Sequence, residues 1–352
     1  MLVVTGITGI GKTILAEQLI HQERDSDQPQ LHLNFDLPGN QLPFVEVAAA
    51  SLRQLGEAVA EDEKQMPQQL LKRWLTYLIS HSCWVLMDSV EQILKGNEQT
   101  GWSIFIDPLW KDFFHQLLGE TQCQSRLVLT SQDLPADIDQ HQWRYQPQLY
   151  ISPLTGFSES EQAQLFKQQG FGPDDDDQSW LYLMRIGRAY EGHPLALQVV
   201  LGEILSWFEG DVVAYWQTYG HEIEVVEAAK SAEDETQTTP NALRLDRYSR
   251  QLRKAVRQRI EKTFQRLRRD FADAFLLLCT IAVYRDALPE AFLLSPMQRR
   301  GWSPERCQVS LDALVDRYLL EANQQNRLRQ HPLIRSVALS YFDSLEGADE
   351  RA

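Results

Sequence analysis

The chain has 352 residues, of which 43% are hydrophobic and 24% charged, enough apolar content for two or three globular domains. With 34 basic and 49 acidic residues its net charge at pH 7 is −15, which disfavours an overall attraction to nucleic acid. No stretch reaches the ~18 consecutive apolar residues of a membrane span, and the four cysteines are too widely spaced for a zinc motif or a disulfide framework, so we expect a cytoplasmic protein without membrane contact.

The chain opens with a predicted strand, a glycine-rich loop and a helix. Residues 1–5 are apolar and β-branched, which is typical of a buried strand, and residues 14–22 have helical periodicity. We expect the buried face of this helix to consist of its apolar residues Ile14, Leu15, Leu19 and Ile20. The loop between the predicted strand and the predicted helix reads Gly6-x-x-x-x-Gly11-Lys12-Thr13 and fits the phosphate-binding template in full.

This loop has the chemistry needed to hold a nucleoside polyphosphate. Glycines permit a backbone with positive φ, so amide N–H groups can converge on a phosphate at a helix N-terminus. Lys12 would meet the β and γ oxygens, and the Thr13 hydroxyl would ligate Mg²⁺. The candidate nucleotide-binding residues are Gly6, Ile7, Thr8, Gly9, Ile10, Gly11, Lys12, Thr13 and Ile14. A glycine-rich turn that only opens a helix is the alternative, and the loop alone does not indicate hydrolysis.

Alternating elements continue to an apolar strand over residues 83–88 that ends in Asp88. Before it, residues 30–36 alternate as a strand, and residues 44–60 and 68–80 have helical periodicity. In proteins with a phosphate-binding loop, an aspartate at this position lies near the magnesium ion, so Asp88 is a candidate metal ligand and catalytic residue. Capping of the following helix is the alternative role.

Three further elements complete the predicted first domain: a helix over residues 105–118, a strand over 126–131 and an edge strand over 148–154. Five strands alternating with helices predict a parallel sheet with both faces covered, in an α/β domain over residues 1–155. Ligands bind at the carboxyl ends of such strands, where Thr130 joins the loop. We therefore include Thr130 among the nucleotide-binding candidates.

Only helical patterns follow the last strand, which predicts an all-α domain over residues 156–226. The first of its predicted helices ends near residue 166, and two more cover residues 180–190 and 195–208. Ser158 followed by Glu161 predicts a capping box at the start of the first of them. We interpret the acidic run over residues 174–177 as a solvated loop and not as a metal site.

The last part of the chain combines a polar segment, helices and a hairpin. Residues 227–245 are poor in apolar side chains and include Pro240, which predicts a linker. The predicted helices cover residues 243–278, 289–300 and 304–316, and the predicted hairpin pairs residues 318–322 with 326–330. Helices, a hairpin and a last helix predict a winged-helix domain over residues 246–352. We interpret the basic run between Arg244 and Arg269 as a solvated helix face, with contact to nucleic acid or an acidic partner as the alternative.

The order of these motifs resembles one family, the signal-transducing NTPases with numerous domains (STAND), and in particular the NB-ARC (AP-ATPase) type. Residues 6–13 look like its Walker A loop, residues 85–88 resemble Walker B, and residues 126–133 (RLVLTSQD) resemble the strand that ends in T-T-R. Residues 192–197 (GHPLAL) are similar to the G-L-P-L-A-L signature of the helical domain. Residues 329–335 (RQHPLIR) lie where the family has a Met-His-Asp motif in its winged helix.

The resemblance implies roles for two residues far from the loop in sequence. It places Pro194 against the base of the nucleotide and His331 at the β-phosphate of ADP. The local alternatives are a proline that only starts a helix and a histidine that only follows the hairpin. The resemblance also implies a switch that binds ADP or ATP with Mg²⁺ and acts by self-association or through a partner effector or sensor protein.

Several features depart from the family pattern. Ser89 follows Asp88 where the family often has a second acid, which leaves Glu91 as the second candidate catalytic carboxylate. Gln132 replaces the arginine that would sense the γ-phosphate, and Pro332 replaces the aspartate of the Met-His-Asp motif. We therefore expect slow ATP hydrolysis. The sequence also lacks the upstream segment that covers adenine in the family, so we expect a truncated start or a loosely held base.

Two other functions remain open from the sequence. A transcription regulator whose winged helix binds DNA is supported by the basic run and opposed by the acidic net charge. A metabolic kinase or hydrolase is disfavoured, because the segments after the ATPase offer no acceptor-substrate site. A nucleotide-dependent switch in signal transduction or defence is the favoured interpretation.

Overall fold

The structure is a computed structural model that describes residues 1–36, 43–97, 101–139, 148–173, 177–234, 241–322 and 326–349. The chain forms two compact units. Unit 1 comprises Met1–Ile7 and Gly11–Leu154, and unit 2 comprises Thr8–Ile10 and Thr155–Ala352. The predicted boundaries between a helical domain, a linker and a winged-helix domain are not resolved by this division and stay predictions.

Strands and helices alternate in unit 1. Its strands are β1 (Leu2–Thr5), β2 (Gln30–Asn34), β3 (Trp84–Asp88), β4 (Leu94–Asn97), β5 (Gly101–Phe105), β6 (Arg126–Ser131) and β7 (Tyr150–Pro153). Its helices are α1 (Lys12–Glu23), α2 (Phe44–Gln54), α3 (Pro67–Ser80), α4 (Pro108–Gly119) and α5 (Ala136–Asp139), with 3₁₀ turns at Glu63–Gln65 and Val90–Ile93.

Five strands form one parallel sheet in the order β2-β3-β6-β1-β7, which confirms the predicted α/β fold class. Strand β6 lies between β1 and β3. In the register of the sheet Thr5 is paired with Ser131 and Met87 with Leu129, so the carboxyl ends of these three strands are neighbours. The strand order therefore brings the ends of β1, β3 and β6 to one edge, where a ligand would bind.

Apolar layers cover both faces of the sheet, as a parallel sheet requires. On one face α2, α3 and α4 contribute an aromatic cluster in which Trp74 stacks on Phe113 with centroids 4.6 Å apart, and Phe44 meets Trp110 edge to face at 4.9 Å. On the other face Ala16 and Ile20 of α1 pack with the sheet residues Val4, Trp84, Leu86 and Val128.

The predicted buried face of α1 was wrong in part. Ile14 and Leu15 are 61% and 44% exposed, whereas Ala16 and Ile20 are buried. The buried stripe follows i, i+4 spacing from Lys12 through Ala16 to Ile20, and the small alanine side chain allows the helix to approach the sheet closely. Apolar character alone therefore did not identify the face that packs.

Two predicted helices in unit 1 have different bounds from those expected. Helix α2 ends at Gln54 and not near residue 60, because Gly56 takes φ 88° and Glu57 donates its N–H to the Leu52 carbonyl, a helix-ending arrangement. Phe105, the first residue of the helix predicted over residues 105–118, is the last residue of β5, which pairs antiparallel with β4. The helix begins instead at Pro108.

Unit 2 is mainly helical. Its helices are α6 (Glu159–Gln168), α7 (Asp177–Ala189), α8 (Pro194–Trp207), α9 (Val212–Asp234), α10 (Asn241–Asp270), α11 (Ala272–Ile281), α12 (Glu290–Arg299), α13 (Pro304–Val315) and α14 (Pro332–Asp349), and its strands are β8 (Glu321–Ala322) and β9 (Leu328–Arg329). The predicted capping box of Ser158 and Glu161 is confirmed at the start of α6. Among the helices of the described ranges, none has the length and apolar character needed to cross a bilayer.

The segment from α11 to α14 has the predicted winged-helix order of three helices, a hairpin and a last helix. Strands β8 and β9 pair antiparallel. Leu288, which lies between α11 and α12, also pairs with Leu328 through two backbone hydrogen bonds of 3.0 and 2.9 Å. This pairing attaches the hairpin to the segment between α11 and α12.

Every residue of the predicted linker that the structure describes lies in a helix. Helix α9 continues to Asp234 and α10 begins at Asn241, and residues 235–240 lie outside the described residues. Polar composition therefore did not exclude helix in this segment, and Glu227 of α9 pairs with Arg185 of α7 at 2.6 Å. Most of the acidic run, residues 174–176, also lies outside the described residues, and Asp177 begins α7.

The interpretation of the basic run as a solvated face was wrong for two arginines of α10. Arg259 and Arg266 are buried, and both pair with the buried carboxylate of Glu203 on α8. Glu222 of α9 lies 3.1 Å from Arg259 and 2.7 Å from Arg266. We call these four residues the buried ion cluster. Its two cations are matched by two carboxylates, so they are not exposed to bind nucleic acid.

Candidate nucleotide-binding site

The glycine-rich loop has the backbone conformation that its sequence predicts. Gly9 and Gly11 take φ values of 85° and 102°, in the left-handed region that favours glycine. Gly11 directly precedes α1, and neither a side-chain cap nor an acidic residue occupies the first turn of that helix. The amide N–H groups of this turn therefore face no competing side-chain acceptor there, which suits an anion.

Lys12 lies against the loop from which it arises. Its Nζ donates to the carbonyls of Gly6 at 2.8 Å and Ile7 at 3.1 Å, and the residue is only 9% exposed. An ammonium is a compact point charge with three donors, so it can exchange carbonyl oxygens for phosphate oxygens by a small movement. Lys12 thus lies against the loop, and its predicted contact with phosphate oxygens stays a prediction.

The Asp88 carboxylate joins the loop helix to the neighbouring strand. Its Oδ1 accepts a hydrogen bond of 2.8 Å from the Thr13 hydroxyl and another from the Thr130 hydroxyl. Thr130 Oγ1 in turn accepts from the Ser89 N–H at 3.0 Å. The capping alternative for Asp88 was wrong, because the N-cap of the following 3₁₀ turn is Ser89, with φ 62°. Three residues predicted from separate motifs therefore meet at one carboxylate oxygen.

Glu91 and Gln132 form a second pair at the same edge of the sheet. The Glu91 carboxylate accepts from the Gln132 backbone N–H at 3.2 Å and from its side-chain Nε2 at 3.1 Å. Burial raises the pKa of Glu91, and the Lys12 ammonium offsets part of that rise. Sequence reasoning identified both residues but not their pairing, so the Gln132 amide is engaged by a carboxylate in this structure.

The remaining loop candidates differ in their surroundings. Ile7 and Ile10 are buried, so these residues can offer only backbone groups to a ligand. The Ile14 side chain is exposed and follows Thr13 directly, which leaves an apolar surface next to the hydroxyl. Thr8–Ile10 belong to unit 2, and a Cβ added to Gly9 would lie 2.8 Å from His193 Cε1. Glycine is therefore required there for space as well as for its backbone conformation.

His193 is a contact that sequence reasoning missed. Its side chain is fully buried in unit 2, where Nδ1 accepts the Ala196 N–H at 3.3 Å at the start of α8. Because Nδ1 is an acceptor, the proton resides on Nε2, which lies 3.0 Å from the Thr8 carbonyl oxygen. The only signal was its place between Gly192 and Pro194. Pro194 itself is the first residue of α8, as its local pattern predicts, and its contact with a base stays a prediction.

His331 is half-buried just before α14. Its Nδ1 accepts the backbone N–H of Leu333 at 3.2 Å, and Pro332 is the first residue of the helix. The structure therefore gives His331 a local helix-start contact, and its predicted contact with a β-phosphate stays a prediction. Within the described ranges no group of three or more His, Cys, Asp or Glu side chains is arranged to hold a metal ion.

The strand order, the loop before α1 and Asp88 at the end of β3 define a P-loop NTPase core, in which an additional strand separates β1 from β3. No family model matches the chain. A curated relative, an uncharacterized WD repeat-containing protein from Nostoc sp. (strain PCC 7120), is 29% identical over 218 residues. The alignment covers 60% of this chain, which spans only 17% of the length of that relative.

Three solved structures are similar to the chain at low sequence identity. They are the ORC2 protein of Aeropyrum pernix (14% identity, TM-score 0.39, 100% of this chain and 88% of that chain), a Walker-type ATPase of Pyrococcus abyssi (13%, 0.36, 96% and 90%) and Cdc6p from Pyrobaculum aerophilum (12%, 0.38, 97% and 87%). Because these identities and TM-scores are low, the assignment of the fold rests on the strand order and the loop.

Proposed function

We propose that the protein binds ATP and ADP with Mg²⁺ through residues 6–13 and acts as a STAND-type switch in signal transduction or defence, with slow ATP hydrolysis. The observation that supports this most is the pairing of the Thr13 hydroxyl with the Asp88 carboxylate at 2.8 Å, next to a loop that holds Lys12. A hydroxyl and a carboxylate at the end of a phosphate-binding loop are the two protein groups that such NTPases offer to magnesium.

The residues present fit a magnesium nucleotide. Mg²⁺ prefers oxygen ligands and keeps several waters, so two protein oxygens, Thr13 Oγ1 and Asp88 Oδ1, are sufficient. When bound, the ion would neutralise charge on the phosphates. The chain itself would bind the phosphates through the loop amides and Lys12, and Thr130 would hold the Asp88 carboxylate in place. Ile14 and Pro194 are proposed to contact the nucleoside.

The proposed output is self-association or contact with an effector or sensor protein. Slow hydrolysis would suit a switch, because a bound nucleotide must persist long enough to define a state. Ser89 supplies no carboxylate after Asp88, which leaves Glu91 as the proposed base. The Nostoc relative is described as WD repeat-containing, and we propose a repeat domain of that kind as the sensor or partner.

We expect the rate of ATP hydrolysis to increase with pH as Glu91 loses its proton. Burial raises the pKa of this carboxyl above its ordinary 4.5, and only the ionised form can accept a proton. The ascending limb of the single-turnover rate should therefore have its midpoint above 4.5 in the wild type. The Glu91→Gln variant should lose the limb. Circular dichroism at each pH verifies that the variant is folded. If the ascending limb persists unchanged in Glu91→Gln, the general base is a residue other than Glu91.

We expect His331→Ala to weaken ADP binding more than ATP binding. A histidine donor to a phosphate oxygen makes a charge-assisted hydrogen bond of roughly 1.5–3 kcal/mol, which corresponds to about a 10- to 150-fold change in affinity. Calorimetric titration of both nucleotides measures the change. His221→Ala, an exposed histidine of α9, is the matched control. If His331→Ala changes the affinities for ADP and ATP equally, or changes neither, His331 has only its contact at the start of α14.

The DNA-binding alternative has lost part of its support. Arg259 and Arg266 belong to the buried ion cluster, so the basic run offers fewer free charges than the sequence implied. Net charge of −15 also opposes binding to a phosphate backbone. We therefore do not retain transcription regulation as a second candidate function.

A further inference from the structure

The His193 imidazole is held at both of its ring nitrogens. It is fully buried just before α8, in unit 2, which also contains residues 8–10 of the phosphate-binding loop. Its Nδ1 accepts the Ala196 N–H at 3.3 Å, so the proton resides on Nε2. Nε2 lies 3.0 Å from the Thr8 carbonyl oxygen and donates to it. The first turn of α8 thereby fixes the imidazole, and the imidazole fixes one peptide group of the loop.

That peptide group joins Thr8 to Gly9. A trans peptide is planar, and its carbonyl and N–H point in opposite directions. Because the Thr8 carbonyl is directed to His193, the Gly9 N–H of the same peptide is directed away from the imidazole. This N–H donates to no backbone carbonyl among the described residues. The hydrogen bond from His193 therefore occupies the carbonyl oxygen and leaves the N–H available to an anion.

The opposite orientation of this peptide would be unfavourable for a phosphate. Gly9 has φ 85°, and glycine adopts positive and negative φ with similar ease, so the backbone itself permits the peptide to turn over. The Thr8 hydroxyl is buried without a hydrogen-bond partner among the described residues, so this side chain does not hold the segment. A turned peptide would present its carbonyl oxygen in place of its N–H, and that oxygen would repel a phosphate. The donor on His193 stabilises the orientation that suits an anion.

We propose that His193 is a positioning residue for nucleotide binding: its Nε2–H holds the Thr8 carbonyl so that the Gly9 N–H is presented to the phosphates. This inference rests on the proposed nucleotide binding. A donor on the carbonyl also polarises the peptide, which strengthens its N–H as a donor. The signature G-L-P-L-A-L has leucine at the position of His193, and leucine has no donor. The contact is therefore a feature of this chain and does not come from the resemblance.

The test compares the whole wild-type chain with His193→Asn, His193→Ser and His193→Gln. Asparagine and serine both accept a backbone N–H at the start of a helix, so they keep the contact with Ala196 but have no donor that reaches Thr8. The longer glutamine side chain restores a donor. The matched control is Ser303→Ala, which removes the side-chain acceptor at the start of α13 in the same unit. The control loses a helix cap without any change at the loop.

Nuclear magnetic resonance reports on the peptide directly. Labelling of threonine carbonyls with ¹³C and of glycine nitrogens with ¹⁵N selects the peptides between a threonine and a following glycine, which occur at residues 5–6, 8–9, 100–101 and 155–156. The signal of residues 8–9 is the one that disappears in Thr8→Ser. Before nucleotide is added, its carbonyl frequency should change in His193→Asn and His193→Ser and return toward the wild-type value in His193→Gln.

Calorimetric titration in Mg²⁺ measures the consequence for binding. We expect His193→Asn and His193→Ser to weaken the affinities for ATP and ADP by about 10- to 100-fold, because a hydrogen bond to a charged phosphate oxygen is lost. His193→Gln should recover most of that loss, and Ser303→Ala should bind as the wild type does. Addition of ADP should move the Gly9 amide signal more in the wild type and His193→Gln than in the other two His193 variants.

Different failures separate this inference from the proposed function. Wild-type affinity or an unchanged carbonyl signal in His193→Asn and His193→Ser overturns the inference alone. A loss of affinity in His193→Gln as large as in His193→Asn also overturns it, because the imidazole would then only fill space. If neither capping variant folds by circular dichroism, the role of His193 is structural and the inference fails. If the wild type binds no nucleotide, the proposed function fails and the inference fails with it.

Discussion

Lys12→Ala is expected to reduce the affinity for ATP and ADP by at least about 100-fold while the chain stays folded. Each charge-assisted hydrogen bond to a phosphate oxygen is worth roughly 1.5–3 kcal/mol, and Lys12 is proposed to make two of them. The fold should persist because water can replace the ammonium at the Gly6 and Ile7 carbonyls.

Calorimetric titration with each nucleotide in Mg²⁺ measures this loss, and circular dichroism verifies the fold. Lys72→Ala is the matched control, because Lys72 is exposed on α3 of the same unit. The control should bind both nucleotides as the wild type does. Unchanged affinity in Lys12→Ala would show that the loop is only a glycine-rich turn before a helix.

Glu203→Ala is expected to destabilise unit 2 by about 3–5 kcal/mol, because it removes one carboxylate from the buried ion cluster. The Glu203 side chain is fully buried and accepts from Arg259, Arg266 and the Thr263 hydroxyl, the last at 2.6 Å. Without it, two buried guanidinium groups would share Glu222 alone. One cation would remain uncompensated in a medium of low dielectric constant, which is the costly outcome.

Urea unfolding followed by circular dichroism tests this prediction, with Glu224→Ala as the control. Glu224 is exposed on α9, so its removal should change stability by no more than about 0.5 kcal/mol. Equal stability of Glu203→Ala and Glu224→Ala would mean that the arginines reach solvent. In that case the solvated-face interpretation of the basic run would be reinstated.

The fold of unit 1 was predictable because its signals are local. Each sheet strand is a short apolar or alternating run, and the loop template combines spacing with a strand before it and a helix after it. Asp88 was identifiable because it ends such a run. These features depend on residues that are neighbours in sequence, so no knowledge of the tertiary structure was needed.

Features that depend on tertiary contacts were not predictable in the same way. The buried stripe of α1 follows Ala16 because a small residue lets the helix approach the sheet, although Ile14 and Leu15 are more apolar. Helix α9 extends into a polar segment as far as Asp234, and its Glu227 makes a tertiary ion pair with Arg185. The burial of Arg259 depends on a glutamate 56 residues away in sequence.

The candidate site contains both kinds of feature, those set by local sequence and those set by tertiary contacts. Residues 6–13 and Asp88 follow from local motifs, but the meeting of Asp88 with Thr130 depends on the position of β6 beside β3. The same strand order creates the pair of Glu91 and Gln132, which are 41 residues apart in sequence. His193 was missed because a histidine between a glycine and a proline has no local signature of a buried contact.

The most direct test of the account is the pair of dissociation constants of ADP and ATP for the wild-type chain in Mg²⁺, measured together with its steady-state turnover. We predict that both nucleotides bind, that ADP binds more tightly, and that turnover is far below the enzyme median of roughly 10 s⁻¹. Absence of binding would contradict the assignment of the site, and equal affinities with turnover near that median would contradict the switch.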